Sequence, residues 1–235
     1  MGEQAEVGLV IGAIGNIHLN LGDFDQAVIC YQQQREIGLR FPDTKNYLLA
    51  INNLGVVRRL QGKPDEAIAH YQEYLSNAEQ QGSLMNCCNV LNNLGLAYWN
   101  KGDYPAAQQA LQRAIDLGRR IGYTSCLKSI YGSMGLVCSD LGQYDLAETH
   151  QRRKLVFDEA SGDRKGISIA RGNIGYLYKR QKRYAEAAEQ YRQALDIARQ
   201  LNIRHQLCNY LYNLADIFYL QGDLERALAF VQEAL

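Results

Sequence analysis

The chain has 235 residues, 47% of them hydrophobic, and its 25 basic residues balance 25 acidic ones. No run approaches the roughly 18–20 consecutive apolar residues that a membrane-crossing helix needs, which excludes a membrane partner. The opening MGEQAEVGLVIGAIGN has no basic leader or cleavage site, and Glu6 stands where a myristoylation signal wants Ser or Thr, so neither export nor lipid anchoring is expected.

Read in chain order, the sequence is one unit written six times. The segments AIGNIHLNLGDF, NLGVVRRLQGKP, NLGLAYWNKGDY, SMGLVCSDLGQY, NIGYLYKRQKRY and NLADIFYLQGDL each open a unit. The repeats fall at approximately 5–44, 45–84, 85–124, 125–164, 165–204 and 205–235. Gly15, Gly55, Gly95, Gly135 and Gly175 step by forty, with Ala215 in the sixth place. Ala27, Ala67, Ala107, Ala147, Ala187 and Ala227 keep the same step, and so do Gly22, Gly62, Gly102, Gly142 and Gly222, broken by Lys182. Such a period is the mark of a stacked repeat architecture.

Inside a unit the apolar spacing is helical. In repeat three Leu91, Leu94, Ala97 and Tyr98 mark one helix, and Ala107, Leu111, Ala114 and Ile115 the next. Between them Gly102 suits a left-handed helix end and Asp103 an N-cap. Pro64 and Pro105 fall in the first turns of second helices, where a missing N–H costs least. A longer second turn is expected at Gly82, Gly122 and Gly162, with Pro42 and Asn202 as equivalents. Each unit therefore reads as helix A, tight turn, helix B, turn. A Gly inside helix A costs about 1 kcal/mol of propensity, so its recurrence implies close approach of helix B. The recurring helix-B Ala is the expected matching surface, with Leu54, Leu94, Leu214, Tyr71 and Tyr191 filling the remaining space. At Lys182, positive φ is expensive for a side chain with a Cβ, so a reshaped turn is expected.

With its small residue, turn Gly and helix-B Ala, NLGLAYWNKGDYPAAQQALQRAI resembles a tetratricopeptide repeat, and the resemblance covers essentially the whole chain. The forty-residue period is similar to a long-helix subclass that includes kinesin light chains, the Pins/LGN adaptors and bacterial signalling arrays. The resemblance implies an all-α, right-handed superhelical solenoid of six repeats, a single array over 1–235, with helices A lining a concave groove.

Stepping helix A by forty gives the implied lining. Two residues before the signature Gly stand Ala13, Asn53, Asn93, Ser133, Asn173 and Asn213; one earlier stand Gly12, Asn52, Asn92, Gly132, Gly172 and Tyr212. Asn16 and Tyr176 follow the Gly directly, and Arg59, Trp99, Lys179 and Tyr219 lie one turn beyond. Asn is a poor mid-helix residue unless its side chain is used. Its amide both donates and accepts, which suits an extended peptide backbone. The resemblance implies that Asn53, Asn93, Asn173 and Asn213 grip such a peptide, with Trp99, Tyr176 and Tyr219 as rigid contact area. Repeats one and four break the series, so the expected footprint is repeats two and three, then five and six.

Charge is uneven along the chain. Residues 1–150 carry 11 basic and 15 acidic residues, a net −4, and residues 151–235 carry 14 and 10, a net +4. The bias favours an acidic peptide contacting Arg171 and Lys179, with nucleic acid as a minor alternative. No HExxH, phosphate loop or GxSxG is present, and no cofactor, metal site or catalytic residue is expected. His18 is expected to pack in the core in the place of Tyr98 and Tyr178, and His70 and His150 lie two repeats apart, unable to share a metal. Cys30, Cys87, Cys88, Cys126, Cys138 and Cys208 form no CxxC pair, which reads as reduced thiols in a cytoplasmic protein; Cys87-Cys88 is the place to test for redox chemistry.

The expected function is a non-catalytic scaffold binding a protein or peptide segment. The alternative is a structural or sensor arm of a larger signalling protein, linked to an ATPase-like or caspase-like domain. The ending ERALAFVQEAL carries no polar capping helix, so a continuing array is expected, with self-association through Phe230, Val231 and Leu235.

Overall fold

A computed structural model describes residues 2–41 and 44–234. Among them are twelve α-helices and no strand: α1 (Gly2–Asn20), α2 (Phe24–Arg40), α3 (Thr44–Leu60), α4 (Pro64–Gln80), α5 (Leu84–Lys101), α6 (Tyr104–Arg120), α7 (Thr124–Asp140), α8 (Tyr144–Ser161), α9 (Arg164–Arg180), α10 (Tyr184–Gln200), α11 (Arg204–Leu220) and α12 (Leu224–Ala234). The odd-numbered helices are the A helices of the six repeats and the even-numbered ones their B partners. The turn expected at Pro42 lies outside the described residues.

The two turns of a repeat are the same turn. Gly102 sits at φ +83° and donates to the Trp99 carbonyl at 2.9 Å, while Asp103 N–H donates to the Tyr98 carbonyl at 2.9 Å. This double closure satisfies carbonyls the helix end leaves orphaned. The B-to-A turn repeats it, with Ser83 N–H on the Ala78 carbonyl at 2.9 Å. The expectation of a longer second turn is corrected: Gln81–Ser83 and Gln61–Lys63 are equal in length. The forty-residue step is thus two twenty-residue halves.

Lys182 corrects a second expectation. It adopts φ +61°, and Arg183 N–H still reaches the Tyr178 carbonyl at 2.9 Å, so the turn keeps its form and Lys carries the strain.

The chain packs as two compact units, residues 1–126 and 127–235, divided in the first turn of α7. In the first unit, consecutive helices α1 to α6 pack on one another, and the A helices also touch, α1 with α3 and α3 with α5. The signature glycines face helix B, most closely at a large side chain, and Gly95 also lies 3.4 Å from the Ala107 carbonyl, measured from an added Cβ. A Cβ on Gly55 would lie 2.6 Å from Tyr71 Cε1, one on Gly15 2.7 Å from Tyr31 Cε1, and one on Gly95 2.6 Å from Leu111 Cγ. The partner is the large residue sixteen positions on, and the glycine makes room for it. Tyr31, Tyr71 and Leu111 are fully buried, as are Ala27, Ala67 and Ala107 beneath them.

In the second unit α8 packs on α9, α9 on α10, α10 on α11, and α11 on α12. Its core joins Leu155, Ile174, Tyr191, Tyr210, Leu214 and Phe218, with the Tyr191 and Tyr210 rings 6.1 Å apart. Gly175 again faces the tyrosine sixteen residues on, with a Cβ 3.1 Å from the Tyr191 ring. In repeat four Gln151 takes that place, buried, its amide donating to the Gly132 carbonyl at 3.3 Å. No helix of the described residues is long and apolar enough to cross a membrane.

Candidate functional site

In the first unit, Asn52 and Asn53 on α3 and Asn92 and Asn93 on α5 are half-buried. Asn93 Nδ2 donates to Asn52 Oδ1 at 2.9 Å, and Asn52 Nδ2 to Asn53 Oδ1 at 3.3 Å. Neighbouring A helices are therefore linked sideways through their amides. This network uses only part of what each amide can donate and accept. Arg59 and Trp99 are half-buried one turn further on. Arg59 lies beside the buried Tyr71 hydroxyl, which burial pushes up to about 12, against the pull of Arg59. Asn16 stands apart from the ladder: it accepts the Tyr31 hydroxyl at 2.7 Å and so tethers a core tyrosine.

In the second unit, Asn173 on α9 and Asn213 on α11 line one cavity of about 320 Å³. Tyr176, Tyr191 and Tyr210 wall it, and His205 and Asn209 join the two asparagines on its polar side. Asn173 Nδ2 donates to Gln151 Oε1 at 3.4 Å. Asn213 Nδ2 donates to the Asn209 carbonyl at 2.9 Å and to its Oδ1 at 2.6 Å. Sequence reasoning missed His205 and Asn209. The available signal was the i, i+4 spacing of Asn209 and Asn213, which puts both on one helix face. Tyr219, 64% exposed, lies outside this lining.

Beside each break in the ladder stands a glycine that faces helix B. A Cβ on Gly12 would collide with the Gln34 amide, and one on Gly132 would lie 3.1 Å from Lys154 Cδ. In repeats one and four, space beside the A helix is thus taken by a long polar side chain from helix B. Ser133 is buried there and donates to the Ser129 carbonyl at 3.2 Å.

About half of the basic residues between 152 and 183 have a carboxylate partner at short range. Lys179, expected to meet an acidic ligand, pairs with Asp216 at 2.7 Å and donates to Asn213 Oδ1 at 3.0 Å. Arg171 pairs with Glu159 at 3.3 Å and donates to Gln193. Arg152 meets Glu148 at 2.8 Å, Lys154 meets Asp158 at 2.5 Å, and Arg183 meets Glu186. Arg180 lies over the Tyr144 ring at 5.5 Å.

His18 departs from its expected place. Half-buried in the last turn of α1, it lies 3.3 Å from Asp23, because the N-cap carboxylate of α2 offers a polar partner at the helix end. His150 is buried and stacks on Tyr131 at 5.9 Å. No disulfide joins the six cysteines; Cys87, Cys88, Cys126 and Cys138 are buried, and Cys208 is exposed.

No protein of curated function matches this chain. Among solved structures, BtubC (BKLC) from P. vanneervenii is 18% identical with a TM-score of 0.81, covering 90% of this chain and 89% of that one. A signal transduction ATPase with numerous domains and a tetratricopeptide repeat sensor, from Pyrococcus horikoshii, is 15% identical with a TM-score of 0.79, covering 98% of this chain and 36% of that one. Aspartyl phosphate phosphatase F from Bacillus subtilis is 16% identical with a TM-score of 0.74, covering 98% of this chain and 59% of that one. At these identities the likeness is one of fold. The tetratricopeptide repeat profile matches residues 7–80, 86–155 and 161–235, two helical hairpins at a time. Given that coverage and the twelve stacked helices, the chain belongs to the tetratricopeptide repeat family.

Proposed function

We propose that the protein is a non-catalytic scaffold that binds an extended peptide or protein segment on its A-helix faces. The observation that carries this reading is the cavity between α9 and α11, where Asn173, Asn209 and Asn213 converge beside Tyr176. A concave site with convergent amides on rigid elements suits a backbone and one inserted side chain. Each amide contact contributes about 0.5–1.5 kcal/mol net, so only several together hold a peptide. The Asn52, Asn53 and Asn93 cluster supports a second contact region of the same chemistry. Because Arg171 and Lys179 already have carboxylate partners, the favoured segment is uncharged at the cavity rather than acidic, and nucleic acid loses its argument.

The test is selection of binders from a displayed library of random peptides. Peptides enriched on the wild type are expected to lose at least tenfold in affinity on Asn173→Ala/Asn213→Ala at unchanged helix content. Equal affinity for both proteins refutes the assignment.

A second reading is a sensor arm of a larger signalling protein. The resemblance to the repeat sensor of the Pyrococcus horikoshii ATPase favours it, since nearly all of this chain fits within about a third of that one. The two readings are compatible, because a sensor arm must also bind something.

A further inference from the structure

The second turn of one A helix meets the first turn of the next at a recurring site joining residue n to residue n + 38. Gly8 faces Asn46 there, and Ser168 faces Gln206, its hydroxyl 3.4 Å from Gln206 Oε1. Ser168 also donates to the Ala194 carbonyl at 2.9 Å. In the first unit the same site holds Cys88, on α5, and Cys126, on α7. Cys88 Sγ donates to the Ala114 carbonyl at 3.4 Å, as Ser168 does to Ala194. The two thiols hydrogen-bond with 3.1 Å between sulfurs. Cys88 is 0% exposed and Cys126 6%. A disulfide needs the sulfurs at about 2.05 Å, so bond formation asks for a closure of about an ångström.

We propose that Cys88 and Cys126 form a redox-active dithiol that a peroxide converts into a disulfide, stapling α5 to the first turn of α7. The adjacent Cys126 thiol lowers the Cys88 thiol from its ordinary value by hydrogen bonding, and the same bond raises Cys126. Cys88 is therefore the sulfur that ionises and attacks. Its thiolate takes one oxygen from hydrogen peroxide, the O–O bond breaks, and water leaves with the Cys88 proton. The Cys126 sulfur then attacks the resulting sulfenic sulfur, the S–O bond breaks, and a second water carries off the Cys126 proton. Two thiols and one peroxide give one disulfide and two waters. Burial makes the step slow, since peroxide reaches the pair only when the first turn of α7 opens. Cys87, next in sequence to Cys88, is raised first by burial, and no cysteine is placed opposite it. Exposed Cys208 gives an internal measure of oxidant dose.

The experiment treats the native full chain with hydrogen peroxide for a time course that runs well past complete oxidation of Cys208, blocks remaining thiols with N-ethylmaleimide under denaturing conditions, and maps a non-reducing digest by mass spectrometry. A Cys88–Cys126 linked peptide is expected in wild type and in Cys87→Ser, absent in Cys88→Ser, and lost on reduction. The melting temperature should rise by roughly 5 °C on oxidation and fall back on reduction. Serine at position 88 is expected to fold, because Ser168 fills the equivalent site. Cys126 still fully alkylated after prolonged peroxide exposure well beyond that which consumes Cys208 overturns the proposal. So does a link that survives in Cys88→Ser.

Discussion

Repeats two and four solve one packing problem with opposite chemistry. In repeat two, Gly55 makes room for the Tyr71 ring, and Ala78 is buried further along α4. In repeat four the equivalent of Tyr71 is Gln151, and the equivalent of Ala78 is Asp158, a carboxylate with no exposed surface. Asp158 is held by Lys154 at 2.5 Å and by Lys128 at 2.7 Å, and Lys128 also reaches Asp163 at 2.5 Å. A Cβ on Gly166 would collide with the Asp158 carboxylate, so the glycine reserves that space. In repeat four these polar atoms point inward, and Ser133 stands where repeats two, three, five and six have asparagine.

The largest test of this contrast is Asp158→Ala, which gives repeat four the alanine of repeat two. Lys154 then loses its carboxylate partner and Lys128 keeps only Asp163, and urea unfolding should show a loss of about 3 kcal/mol. Replacing Lys154 with Met in the same variant should recover part of that loss. A cost under about 0.5 kcal/mol, the range of an ordinary surface change, would mean the cluster is ornamental and the contrast has no energetic content.

The glycines give a smaller and sharper comparison. Gly55→Ala drives a methyl into an aromatic ring, a strain of about 1–3 kcal/mol against a helix-propensity gain of about 1 kcal/mol. Gly135→Ala meets the end of the Gln151 side chain, which swings aside more cheaply than a packed ring. Chemical denaturation should therefore rank Gly55→Ala well above Gly135→Ala, and the reverse order would show that the ring, not the amide, is the mobile partner.

The smallest effect concerns the A-to-B turns, which keep one form in all six repeats. Lys182→Gly removes the left-handed strain of a side chain with a Cβ and should raise stability by about 0.5–1 kcal/mol. No gain in the melting curve would indicate that Lys182 is held by an interaction worth as much as the strain.

Much of the architecture was legible because it depends on local chemistry repeated at a fixed step. Gly22, Gly62 and Gly102 mark left-handed turns that few other residues make without strain, and the apolar spacing of Leu91, Leu94 and Ala97 needs no partner to read as a helix face. The candidate lining was legible in part: Asn173 and Asn213 meet in one cavity, while Asn16 serves the core and Tyr219 lies elsewhere. Asn209 and His205 escaped because stepping back from the signature position stopped at Asn213 and Tyr212, one turn short of Asn209 and two turns short of His205.

What the forty-residue step determined by itself was the number of helices, their order and the form of their ends, since capping and turn strain act within a few residues. What only the tertiary structure decided was which side chain answers which. Gly55 answers Tyr71, sixteen residues on; Gly132 answers Lys154, twenty-two on; Cys88 answers Cys126, thirty-eight on. Those offsets depend on how one helix lies across the next, a property of packed surfaces rather than of any segment. Gly132 and Ser133, where the asparagine series breaks, and Asp158 belong to a repeat that closes its hairpin with polar and charged side chains.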